Sequence, residues 1–143
     1  GSDVSKVLTV EASGIAIATA TAMCLGVPFV FAKKSKTNNI SGDVYSADAY
    51  SYTHNTANTV IVPCTYLSES DKVLIVDDFL ARGEAVGALA DICDKAGAEI
   101  VGAGILIEKS FQSGRGILEK RGIRVESLAR VSKLDPISGV AFL

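Results

Sequence analysis

An α/β domain with a mostly parallel open sheet flanked by helices is the fold this sequence predicts, and three observations predict it. Four short apolar runs, Val7–Val10, Phe29–Ala32, Val73–Val76 and Val101–Ile107, are rich in β-branched residues and show no clean polar alternation, as strands covered on both faces do. Helical stretches lie between them. The resulting order, β-α-β followed by β-α-β-α-β, is that of a doubly wound sheet. Residues 1–143 carry no internal repeat or linker, and that length suits one domain with one core.

Each element has a local reason. The first strand, Val7–Val10, gives way at Glu11-Ala12-Ser13-Gly14 to an Ala-rich helix, Ile15–Leu25, which stops before Gly26. Phe29–Ala32 follows, with Lys33-Lys34 directly after it. Lys33–Thr59 is polar, with Asn38-Asn39, Gly42-Asp43 and then Tyr45, Tyr50 and Tyr52 among small polar residues. It reads as a long loop with a two-stranded antiparallel excursion, and loops of that length in compact domains are usually functional or disordered. After Val73–Val76 come Asp77-Asp78 and a short loop holding Gly83. A helix, Glu84–Ala96, then sets Val86, Leu89, Ala90 and Cys93 on one stripe and ends at Gly97. Beyond Val101–Ile107, a short helix, Ile117–Arg121, ends at Gly122, and the chain closes on an apolar segment, Val140–Leu143.

Composition narrows the function. Hydrophobic residues at 48% and charged residues at 21% exclude a disordered chain. Fourteen Lys+Arg against 16 Asp+Glu, a net charge of −2, exclude a nucleic-acid module that works through bulk charge. No apolar run is long enough to predict a membrane span. Cys24, Cys64 and Cys93 are odd in number and far apart. They argue against a disulfide framework or a zinc site, fit a reducing compartment, and are expected to act as small buried hydrophobes.

The informative segment is Val73-Leu74-Ile75-Val76-Asp77-Asp78-Phe79-Leu80-Ala81-Arg82-Gly83-Glu84-Ala85. Ligands of open α/β sheets bind outside the carboxyl ends of the strands. A helix N-terminus there offers unpaired N–H groups and a partial positive charge, which suit a phosphate. Small residues Ala81, Gly83 and Ala85 allow close approach of the backbone. Adjacent carboxylates suit a diol, whose hydroxyls they can accept, or a shared metal ion. Phosphate cradle and diol acceptor together describe a ribose 5-phosphate site. Ser13-Gly14 forms a second strand–turn–helix, and Lys33-Lys34 sit at the same sheet end. That combination suits a ligand with phosphate at one end and diphosphate at the other.

The hydrophobic–Asp-Asp–loop segment resembles the phosphoribosyl-pyrophosphate signature of the type I phosphoribosyltransferases. Val10-Glu11-Ala12-Ser13-Gly14-Ile15, Val30-Phe31-Ala32-Lys33-Lys34, Val44-Tyr45-Ser46, Asp77-Asp78-Phe79-Leu80-Ala81, Ile107-Glu108-Lys109-Ser110-Phe111-Gln112 and Arg124-Val125-Glu126-Ser127-Leu128-Ala129 are similar, in order, to segments of the family's bacterial xanthine branch. The resemblance spans almost the whole chain and implies the type I phosphoribosyltransferase fold.

It also implies roles. Ala81, Arg82, Gly83, Glu84 and Ala85 would bind the 5-phosphate, and Asp77 and Asp78 the ribose hydroxyls. Ala12, Ser13, Gly14 and Lys33 would meet the diphosphate, with a non-proline cis peptide expected in the turn before Ser13. Lys109, and less directly Phe111, would contact the purine. The segment Tyr45–Thr53 resembles a mobile loop that closes over the site, and His54 reads as an ordinary loop residue. Ala81 and Ala85 stand where many relatives place hydroxyls, so backbone amides would carry more of the phosphate binding. The implied partners are phosphoribosyl pyrophosphate and xanthine or guanine, with Mg²⁺, in a cytoplasmic homodimer that binds neither nucleic acid nor membrane. The family's N-terminal hood over the base is expected to be absent from this sequence. No general base is legible. The alternative is the non-catalytic effector domain of a purine repressor, which senses phosphoribosyl pyrophosphate. A dinucleotide-binding domain is disfavoured because no G-x-G-x-x-G follows the first strand.

Overall fold

A computed structural model describes residues 3–34, 42–51 and 56–143. Asn38-Asn39, Tyr52 and His54 lie outside the described residues. In chain order the elements are β1 (Lys6–Val10), α1 (Gly14–Leu25), β2 (Phe29–Ala32), β3 (Val44–Ser51), β4 (Thr56–Pro63), a 3₁₀ turn (Cys64–Tyr66), β5 (Lys72–Leu80), α2 (Glu84–Ala96), β6 (Glu99–Lys109), α3 (Gly114–Lys120), β7 (Val125–Asp135) and β8 (Gly139–Phe142).

Six strands form one sheet in the order β2-β1-β5-β6-β7-β8. Every neighbouring pair is parallel except β7 with β8. The register sets Leu8 between Val30 and Ile75, so the middle of β1 is apolar on both sides. β3 and β4 form a separate antiparallel hairpin, which confirms the two-stranded excursion. It runs further than the sequence suggests, to Pro63, because Val60, Ile61 and Val62 are core residues.

Helices cover the two faces unequally. Val86, Leu89, Ile92 and Cys93 of α2 join Leu8, Val73 and Ile75 of the sheet and Val60 and Val62 of the hairpin in the larger core. Lys95 of α2 also donates to the Ser46 carbonyl of β3. Across the sheet, Ala18 and Ala22 of α1 pack with Val7 and Val76 in a smaller core. Small residues on that face let α1 lie close to the sheet.

Three expectations change. The acidic pair Asp77-Asp78 lies inside β5, not after it, because pairing with β6 continues from Asp77↔Ile105 to Leu80↔Glu108. Ladder hydrogen bonds hold the strand through two polar residues at which an apolar run would end. The third helix starts three residues earlier than its apolar residues indicate, at Gly114 rather than Ile117. Of the cysteines, only Cys93 is buried, while Cys64 is half-buried and Cys24 exposed.

Candidate active site

The carboxyl ends of β1 and β5 open into a cleft of about 280 Å³. Its walls include Glu11 and Ser13 from the turn after β1, Lys34 after β2, Asp77 and Asp78 of β5, and Glu84 and Ala85 of α2, with Ala49, Asn58 and Val60 from the hairpin. A parallel sheet puts all these strand ends on one edge, so residues from distant parts of the sequence converge there.

The turn after β1 is built tightly. The Glu11–Ala12 peptide is cis, as the family resemblance implies. Glu11 Oε1 accepts the Lys34 backbone N–H at 2.8 Å, which ties this turn to the end of β2. Ser13 stands at the N-terminus of α1 without capping it through its side chain, so its hydroxyl is not spent on the helix. A Cβ on Gly14 would fall 2.0 Å from Thr9 Oγ1 and 3.4 Å from Asp77 Oδ1. Only glycine lets α1 begin so near the carboxylate. Thr9 Oγ1 is itself buried and has no hydrogen-bond partner among the described residues.

The loop between β5 and α2 follows the same logic. Gly83 precedes α2 with φ 84°, a left-handed conformation that favours glycine. The amides of Glu84, Ala85 and Val86 open α2, where helix geometry supplies no carbonyl for them. The loop is braced from α3: the Gly114 N–H donates to the Ala81 carbonyl at 3.0 Å. A Cβ on Gly114 would lie 2.5 Å from that oxygen and 3.0 Å from the Gly83 nitrogen. Nothing in the sequence marks Gly114, because a glycine there looks like any loop residue. The Glu84 carboxylate also faces inward, and its Oε1 is buried without a partner among the described residues.

Asp77 is 4% exposed. Burial, then the neighbouring Asp78 carboxyl, push its acid up to about 7, against the Asp78 backbone N–H and the Lys34 charge. The Asp78 N–H donates to Asp77 Oδ1 at 3.0 Å, and the Phe79 N–H to Asp78 Oδ1 at 3.0 Å. Each carboxyl is thereby oriented by the backbone that follows it. Near neutrality Asp77 can serve as donor or acceptor to a hydroxyl, while Asp78, half-buried, faces the same cleft.

The other predicted residues surround this centre. Ala12 is exposed and Gly14 buried beside the cleft. Lys34, not Lys33, lines the cleft. Lys33 is bridged through its backbone to Ile61, with bonds of 2.9 Å in both directions. Arg82 is exposed and Ala81 half-buried. Lys109 ends β6 on the same sheet edge, its Nζ 5.6 Å from the centroid of the Phe79 ring, a cation–π distance. Phe111 is 50% exposed, so it is no core aromatic. Neither lines the cleft itself. Among the described residues, no group of three or more His, Cys, Asp or Glu could cage a metal ion.

Comparisons with known proteins agree with this geometry. The phosphoribosyl transferase domain family matches residues 3–122. A xanthine phosphoribosyltransferase of Brevibacillus brevis is 50% identical over 143 residues, covering 100% of this chain and 72% of the relative. One from Ligilactobacillus salivarius is 50% identical over 133 residues, covering 93% and 69%. Among solved structures, adenine phosphoribosyltransferase from Thermoanaerobacter pseudethanolicus superposes with a TM-score of 0.80 at 26% identity, over 91% of this chain and 72% of that one. The Giardia lamblia enzyme complexed with 9-deazaadenine gives 0.79 at 28% identity, over 90% and 70%. With likeness in sequence and in backbone extending over nearly its whole length, this chain belongs to the phosphoribosyltransferase family.

Proposed function

We propose that this chain transfers the 5-phosphoribosyl group of phosphoribosyl pyrophosphate to N9 of xanthine, giving xanthosine 5′-monophosphate and diphosphate, a purine-salvage step. The observation that carries this reading is half-identity over at least 92% of the chain to relatives that bear the name xanthine phosphoribosyltransferase. Those relatives are named as enzymes, which favours catalysis over the sensing role of a repressor domain.

In the reaction the bond from the anomeric carbon to diphosphate breaks, the bond to N9 forms, and the N9 proton leaves. The ribose ring gains positive charge as diphosphate departs, so the protein's work is to position both phosphates and stabilise opposite developing charges. The amides of 82–86 would hold the 5-phosphate. Asp77 and Asp78 would orient the ribose hydroxyls. The turn at Ala12-Ser13-Gly14, with Lys33 and Lys34, would meet the diphosphate, and Lys109 and Phe111 the purine.

Mg²⁺ fits a cleft that offers a carboxylate pair but no cage, since this ion usually takes one or two carboxylates together with substrate oxygens. Asp77 and Asp78 would hold it, and when bound it would neutralise diphosphate charge. The same reading carries with it a single catalytic core domain, a cytoplasmic location and a homodimer. No helix among the described residues is long and apolar enough to cross a membrane.

The test is direct. The chain is incubated with phosphoribosyl pyrophosphate, Mg²⁺ and xanthine, guanine or hypoxanthine in turn, and diphosphate is measured. Release fastest with xanthine is expected. Release with none of the three refutes the enzyme reading, and a preference for guanine or hypoxanthine refutes the xanthine assignment alone.

A further inference from the structure

Glu108 is the most deeply buried acid of the described residues, at 1% exposure. It does not line the cleft. Arg115 of α3 grips both its oxygens, Nε to Oε1 at 2.9 Å and Nη2 to Oε2 at 2.6 Å. Ser127 of β7 donates to Oε2 at 2.6 Å and Ser110 to Oε1 at 3.0 Å. Arg130 adds a longer contact of 3.4 Å. Arg115 also donates to the Val125 carbonyl at 2.8 Å and to Glu119 at 3.1 Å.

Burying the Glu108 carboxylate against a partly exposed arginine is rarely worthwhile for stability, since an apolar replacement often does as well. Its value lies in fixed geometry, because a guanidinium fork admits a single orientation of the carboxylate. The position of the pair is the informative point. Glu108 directly precedes Lys109, and Ser110, which bonds Glu108, directly follows it. Arg115 follows Gly114, whose N–H holds the Ala81 carbonyl of the phosphate loop. One cluster therefore anchors both the end of β6 and the start of α3.

We propose that the Glu108–Arg115 pair, with Ser110 and Ser127, is a positioning device that couples the phosphate loop 81–83 to the base-facing segment 109–113, so that occupation of one end of the site orders the other. This rests on the functional reading above. Glu108 and Arg115 touch no substrate; they act through Lys109 on one side and through Gly114 on the other.

The experiment needs no variant at its first step. Amide hydrogen exchange of the full chain is followed with and without ribose 5-phosphate, a probe that reaches the loop and the acidic pair but not the base-facing segment. Coupling predicts slowed exchange at 77–86 and also at 109–113. Protection confined to 77–86 and Gly114, whose N–H bonds the loop directly, overturns the proposal. No protection anywhere, with no binding by calorimetry, overturns the reading of the cleft itself and the proposal with it.

The second step uses Arg115→Lys, which keeps the charge but loses the fork, and Ser127→Ala as a milder variant. Both are expected to weaken ribose 5-phosphate binding, about 10-fold and about 3-fold, and to abolish its protection of 109–113. Turnover should lose by a higher KM for both substrates together rather than for one. A folded Ser127→Ala chain with wild-type affinity and wild-type protection refutes the coupling, even if Arg115→Lys does not fold.

Discussion

Asp77→Asn should stabilise this protein at alkaline pH while disabling it. In the folded chain, burial and the adjacent Asp78 push the Asp77 acid from its ordinary 3.8 to about 7. The unfolded chain ionises near the ordinary value. Folding therefore favours the protonated form, and the contribution of that form is fully present below pH ~4. It fades as pH rises, and the penalty is complete above about pH 7. At 1.36 kcal/mol per decade of the acid constant, the cost at pH 8 is about 4 kcal/mol as an upper bound. Asparagine never ionises, and its Oδ1 can still accept the Asp78 N–H. Thermal melts of both chains at pH 5 and pH 8 test the reasoning. At this size each kcal/mol is about 3–4 °C, so Asp77→Asn should gain roughly 10 °C on the wild type between the two pH values. His54 and all other titrating groups are common to both chains, so their contributions largely cancel in the difference. Parallel melting curves across that range would refute the claim that Asp77 is buried at a cost. The same substitution should lower transferase turnover on the order of 10²–10³-fold, because it removes a charge that orients the ribose and favours its cationic transition state.

Other outcomes follow from the same geometry. Glu108→Gln should flatten the acid limb of stability. The Arg115 hydrogen bonds hold the Glu108 acid down to about 2, so its contribution is present above pH ~4.5 and lost as pH falls toward 2. Urea titrations at pH 3 and pH 6 should show a smaller difference in the variant than in the wild type. Gly14→Ala would drive its methyl against Thr9 Oγ1, 2.0 Å away, and should cost about 1–3 kcal/mol by urea midpoint; adding Thr9→Ala should recover part of that. Leu89→Ala empties a fully buried site between α2 and the sheet and should cost about 2–5 kcal/mol, with no loss of affinity for ribose 5-phosphate in the molecules that remain folded.

The strands of the sheet centre were legible because parallel strands buried on both faces need unbroken apolar runs, as in Val73–Val76. Where that pressure eases, legibility ends. β7 alternates buried and exposed positions, and β8 is exposed along its length, so neither stands out as a run. The hairpin was visible as an excursion, but its core contribution through Val60 and Val62 was not, since three apolar residues do not reveal which helix covers them. In the site, Asp77-Asp78 and the Gly83 bend could be read because their neighbours in sequence are also their neighbours in space. Glu108 could not, because its partners Arg115, Ser127 and Arg130 stand 7, 19 and 22 residues away. Gly114 could not either, since its importance lies entirely in the Ala81 carbonyl it touches.

The placement of β1 governs how this chain must come together. Its neighbours are β2, close in sequence, and β5, whose Ile75 pairs with Leu8 across nearly half the polypeptide. Local pieces such as the β3–β4 hairpin need only a short closure, but the strand that leads into Glu11 and Ser13 meets the one that carries Asp77 only after that long segment has closed into a ring. Such distant pairing slows assembly and leaves apolar edges open meanwhile. The candidate crevice spans this late seam and is thus expected among the last features to mature, and a nascent chain halted before residue 80 would hold one wall of it with nothing opposite.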